Sequence, residues 1–128
     1  MAFVLNKHSS GKSREFLTAS STTIAKGDAL VISSGYVTPA AATDTTPALV
    51  AIADEDVTTA SGAHNKILAT LLDPTLEFVV DCDDDVAQSQ VGTSVKFKDK
   101  ATADNGTTGG PILVLDVLPG KKILAKIG

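Results

Sequence analysis

The chain has 128 residues, a formal net charge of −4 and a single cysteine, Cys82. That length suits one domain able to bury a core of its own. One cysteine excludes an intrachain disulfide framework, and no apolar run approaches the ~20 residues that a membrane helix needs.

Charge is unevenly placed. Residues 1–14 hold Lys7, Lys12 and Arg14 and no acid, whereas residues 15–128 hold eight basic and fifteen acidic residues. An acidic body works against nucleic acid, whose binding requires cations matched to phosphates. Neither nucleic acid nor membrane is expected as a partner. The start, MAFVLNKHSS, lacks the charged-then-apolar order of a signal peptide. A lone cysteine suits synthesis in a reducing cytoplasm. Val, Ile and Thr number 12, 7 and 15 against four Phe, one Tyr and no Trp. Stiff β-branched side chains favour pleated sheet over helix, and the expected class is all-β.

Residues 1–14 read as a flexible basic N-terminal arm, and residues 15–128 as one β-rich domain. Phe3, Val4 and Leu5 form a small apolar plug ahead of the polar run Asn6–Arg14. Such a segment has too little apolar surface to offset its ordering entropy alone. It is expected to order on a partner, with Phe3, Val4 and Leu5 as anchors and Lys7, Lys12 and Arg14 meeting acidic surface.

From Glu15 the expected strands are Glu15–Ala19, Ala29–Ser33, Tyr36–Thr38, Leu49–Ala53, Lys66–Leu72, Leu76–Asp81, Ser94–Lys98, Ile112–Leu118 and Lys122–Ile127. Ala29–Ser33 and Tyr36–Thr38 flank Ser34-Gly35, a two-residue loop in which glycine accepts φ > 0 and matches the turn to the strand twist. In Ser94–Lys98, Val95 and Phe97 alternate with Ser94, Lys96 and Lys98, the pattern of a half-buried strand. Pro119-Gly120 fits the second and third positions of a type II turn. One helix of at most two turns is expected over Asp84–Gln90, with Asp85 and Gln88 at capping-box spacing and Gly92 as its stop. Ala40–Ala48, Asp54–Asn65 and Asp99–Gly110 read as long loops. No internal repeat of fixed period is visible.

No motif carries chemistry. Gly11-Lys12-Ser13 has the tail of a phosphate-binding loop, but Asn6 stands where its first glycine is required. Asp81, Asp83, Asp84 and Asp85 surround Cys82, yet from Asp81 the sixth and twelfth places of a calcium loop are Val86 and Gly92. Three neighbouring carboxylates oppose a thiolate at Cys82, the reverse of an activated nucleophile. His8 and His64, with one Cys, form no zinc spacing, and no Gly-x-Ser-x-Gly elbow is present. No enzyme activity, metal or cofactor is expected.

Ala25-Lys26-Gly27-Asp28-Ala29-Leu30-Val31, Gly35-Tyr36-Val37-Thr38-Pro39-Ala40 and Leu49-Val50-Ala51-Ile52-Ala53 together resemble small capsid decoration proteins of tailed bacteriophages, also called cement or head-stabilising proteins. Ala51 stands where that family usually has glycine. Asp85–Val95 and the strand–turn–strand C-terminus Ile112–Ile127 are similar to it as well. The resemblance covers roughly residues 15–128 and lies in fold grammar. It implies a small antiparallel β-barrel or β-tulip-like body with an extended N-terminal arm. It also implies binding to the outside of an assembled capsid, with the major capsid protein as partner, a homotrimeric state, and the virion surface as location. A different reading is a small carbohydrate- or receptor-binding β module on a virion appendage. Sugar sites favour aromatic platforms, and Tyr36 is the single tyrosine.

Overall fold

Runs of β-branched and aliphatic residues become short strands throughout the computed structural model, which describes residues 3–5, 13–41, 49–72 and 76–127. In chain order the strands are β1 (Phe3–Leu5), β2 (Ser13–Leu17), β3 (Thr22–Ile24), β4 (Ala29–Ser33), β5 (Tyr36–Pro39), β6 (Leu49–Ala53), β7 (Val57–Thr59), β8 (Lys66–Leu71), β9 (Phe78–Asp81), β10 (Ser94–Asp99), β11 (Thr102–Thr108), β12 (Ile112–Leu118) and β13 (Lys122–Ile127). They form a five-stranded sheet, β2-β8-β6-β4-β5, a six-stranded sheet, β1-β9-β13-β12-β10-β11, and a small ribbon, β3-β7. The ladders within these sheets are antiparallel. The all-β expectation holds.

The two large sheets share one plan. The first unit uses β2, β4, β5, β6 and β8, and the second uses β9 to β13. In each, the spatial order is first, fifth, fourth, second and third strand. The registers correspond: Leu30 faces Ala51 as Val95 faces Ile112, and Ile32 faces Val37 as Phe97 faces Ala103. In each unit one parallel bridge joins the residue after the first strand to the third strand, Thr18 to Val37 and Cys82 to Ala103. The sheets thus curl back on themselves without a continuous closing ladder.

Hydrogen bonds repeat with the strands. Ala19 N–H donates to Val37 O at 3.0 Å, and Asp83 N–H to Ala103 O at 3.1 Å. Gly27 N–H reaches Ala53 O at 2.9 Å, and Gly92 N–H reaches Val114 O at 2.8 Å. These two glycines have φ of 91° and 92°, a left-handed conformation that glycine enters without steric cost. The chain is therefore two copies of one fold in tandem. The copies have no fixed period because their loops differ: Val37 corresponds to Ala103, 66 residues on, but Lys66 to Lys122, 56 residues on.

Each unit has an apolar interior. In the first it is Leu30, Val37, Ala51, Ala53, Ile67 and Ala69, with Ile24. The corresponding positions of the second unit are Val95, Ala103, Ile112, Val114, Ile123 and Ala125, all fully buried. That second cluster also contains Ala29, Val31, Leu49 and Ile52 of the first unit. Because side chains alternate across a strand, β4 and β6 send Leu30 and Ala51 into their own unit and Ala29, Val31 and Ile52 towards the other. At the seam Ala29 N–H donates to Lys100 O at 2.9 Å.

Three expectations change. The helix over Asp84–Gln90 is a single 3-10 turn, Gln88–Gln90. The carbonyl of Asp85 accepts from Asn105 Nδ2 at 3.0 Å instead of from a helical N–H. The box spacing of Asp85 and Gln88 is not used; Gln90 Oε1 accepts the Ala87 N–H at 2.9 Å. The supposed loop Asp99–Gly110 contains β11, and Asp54–Asn65 contains β7. Residues of the N-terminal segment join both sheets: Phe3, Val4 and Leu5 pair with Val80, Val79 and Phe78, and Ser13 and Arg14 open β2.

Candidate functional site

The first unit is open at the end where β2, β6 and β5 begin. There Val31 is opposite Leu49, the first described residue of β6, and among the described residues Ile32 and Ser33 pair with β5. The hairpin turns at Ser34-Gly35 with φ of 53° and 88°, the positive angles that a twisted two-residue loop needs. Ile32 is left 37% exposed and Leu17 43% exposed. They line a groove of about 510 Å³ together with Arg14, Glu15, Phe16, Leu71 and Leu72. Arg14 is exposed, and its guanidinium sits 5.3 Å from the centre of the Phe16 ring, an arrangement in which the ring face attracts the cation. Among the described residues no carboxylate lies within ion-pair distance of Arg14.

The groove gathers one of the sequence-derived site residues, Arg14. Phe3, Val4 and Leu5 lie in the other sheet, as an edge strand on β9. Lys7 and Lys12 lie outside the described residues, as do His8 and the Gly11-Lys12 pair. Ile32 and Leu17 were not marked by sequence, because their alternation is that of ordinary strands. The missing signal is register, which leaves Ile32 at the mouth and exposed.

The other polar clusters are engaged in structure. Asp81 pairs with Lys122, Asp83 with Lys98 at 3.4 Å, and Asp84 Oδ1 accepts the Asp85 N–H at 2.8 Å. Among the described residues no group of three or more His, Cys, Asp or Glu side chains is placed to hold a metal ion. Cys82 is buried. Burial first, then the charges of Asp83 and Asp81, push its thiol up to about 11. His64 stacks on Tyr36 with ring centres 3.9 Å apart. His64 Nδ1 lies 2.8 Å from Thr18 O, and since a carbonyl only accepts, Nδ1 carries the proton. Among the described residues no helix is long and apolar enough to cross a membrane.

What the groove offers is a shallow, largely apolar surface with the charges of Arg14 and Glu15 in its lining. The sequence matches no protein-family model, and no curated protein sequence matches it.

Proposed function

We propose that this chain is a structural virion protein that binds the outside of an assembled phage capsid and bridges major capsid subunits, acting as a homotrimer. The observation that carries the reading is the open apolar groove of the first unit, with Arg14 at its rim. The residues read as the capsid-contacting set remain Phe3, Val4, Leu5, Lys7, Lys12 and Arg14. The mechanism is thermodynamic. A ligand that binds only the expanded shell stabilises it by mass action, and many equivalent sites on a lattice make modest contacts sufficient. No bond is made or broken.

The test mixes the protein with expanded empty heads of the virus that encodes it. Ordered protrusions in electron micrographs and a raised melting temperature of the shell are expected. Deleting residues 2–12 removes the edge strand β1 and spares β2; it is expected to weaken binding while melting curves show a folded body, and unchanged affinity removes the N-terminal segment from the reading. The alternative, a carbohydrate- or receptor-binding module, draws on the surface stack of Tyr36 and His64. A glycan array that shows binding abolished by Tyr36→Ala favours it over the capsid reading.

A further inference from the structure

The tandem puts matched positions in opposite circumstances. In the second unit the mouth is lined by Phe78, Phe97 and Ile127, each at most 2% exposed. They share one buried cluster with Ala29, Val31, Leu49 and Ile52 of the first unit. The matched positions in the first unit are Arg14, Ile32 and Leu71. These three line the open groove. One mouth is stoppered by a neighbouring sheet face, and among the described residues nothing covers the same mouth on the other copy.

We propose that the open mouth of the first unit is a docking site for a sheet face of a different protein, one that presents small aliphatic side chains beside a carboxylate. The stopper of the second unit supplies the chemistry. It is aliphatic, and at its margin Asp28 meets Lys100 of the rim at 3.3 Å. At the first mouth the cation is Arg14, and it has no carboxylate partner among the described residues. Arginine on an aromatic face, with no ion-pair partner among the described residues, is well placed for a bidentate carboxylate pair.

A second copy of this chain does not fit. Its own β4–β6 face is already covered by its second unit. The corresponding face of the second unit has exposed Ser94 and Lys96 in the places of Ala29 and Val31. Docking that face would set polar Ser94 and Lys96 where the stopper of the second unit has Ala29 and Val31, and desolvating an ammonium against an apolar mouth is costly. Neither of the two matching sheet faces of a second copy supplies the stopper, and the proposed occupant is foreign. Its identity as the capsid shell rests on the function proposed above.

The experiment compares wild type, Ile32→Asp, Arg14→Glu and Leu68→Asp for binding to expanded empty heads, with melting curves to show that each is folded. Leu68 is 39% exposed and does not line the groove. Ile32→Asp and Arg14→Glu are expected to weaken binding by about 30-fold, the scale of an interface hot spot, and Leu68→Asp to leave it unchanged. Wild-type affinity in folded Ile32→Asp and Arg14→Glu overturns the docking site while the capsid reading stands. Heads that take up no wild-type protein overturn both. Self-association in sedimentation that is lost in Ile32→Asp makes a second copy the occupant and also overturns the proposal.

Discussion

The Asp28 carboxylate lies 3.3 Å from the Lys100 ammonium across the seam of the two units, and the same carboxylate accepts the Ala25 N–H at 2.9 Å. Its side chain is only 4% exposed, whereas that of Lys100 is 41% exposed. Solvent around Lys100 screens the pair, so the larger share of Asp28's worth is the buried hydrogen bond. Asp28→Ala is expected to cost about 2–3 kcal/mol, and Lys100→Ala about 1 kcal/mol or less. Asp28→Asn keeps an acceptor for Ala25 and falls between. Urea denaturation midpoints order the three; a Lys100→Ala loss equal to that of Asp28→Ala refutes this division.

Gly110 has no room for a side chain. A Cβ there would meet Val95 O at 2.2 Å and Lys96 Cα at 2.4 Å, contacts that only a shift of backbone relieves. At Gly106 the nearest atom is Asp104 Oδ1 at 3.6 Å, an ordinary contact. Gly110→Ala is expected to lose about 2 kcal/mol or more, and Gly106→Ala less than about 1 kcal/mol, read from thermal melts of the two variants.

Thr18 and Thr59 are both buried and share a hydrogen bond of 2.6 Å, while Thr18 Oγ1 also accepts the Asn65 N–H at 3.0 Å. Thr18→Val keeps the shape and strands both partners. The expected loss is about 1–3 kcal/mol. If Thr59→Val is paired with it, the double variant loses less than the sum, because the two hydroxyls serve each other.

The Cys82 thiol stays protonated well past its usual range, with its value raised to about 11 against a reference of 9.0. In the unfolded chain the thiol ionises first, so between those two values the unfolded state binds fewer protons. Stability from this group is complete below about pH 9 and falls as pH rises towards 11. Thiolate absorbance near 240 nm, followed against pH, checks the midpoint. Cys82→Ala flattens that part of the stability profile. A midpoint near the reference value contradicts the burial described here.

Much of the fold is written in local pattern. Ala29–Ser33, Leu49–Ala53, Ile112–Leu118 and Lys122–Ile127 are strands with the bounds their sequence announces. The buried set Ile123, Ala125 and Ile127 follows simple alternation. β11 was hidden because Thr102–Thr108 has turn composition; it is a strand through pairing with β10, which sheet context can impose against propensity. Its ladder with β10 is irregular, shifting register twice. The helix expected over Asp84–Gln90 failed where Asn105 took the Asp85 carbonyl, a contact twenty residues away that no local pattern reports. The duplication was hidden because matched interior positions differ in size, Ala51 against Ile112 and Ala53 against Val114, and because the connecting loops differ in length. Of the groove, sequence marked Arg14 by its charge. Ile32 carries no mark until the register places it, exposed, at the mouth of the unit.

The pairing of Phe3 with Val80 sets a timetable for synthesis. β1 leaves the ribosome before its partner strand, which follows 77 residues later, after every described strand of the first unit has emerged. For that interval three apolar residues wait beside a growing chain. Such long-range pairing slows folding, because the closure entropy of a long loop precedes the contact that offsets it, and where many chains are made at once it is the point at which one nascent molecule can capture another.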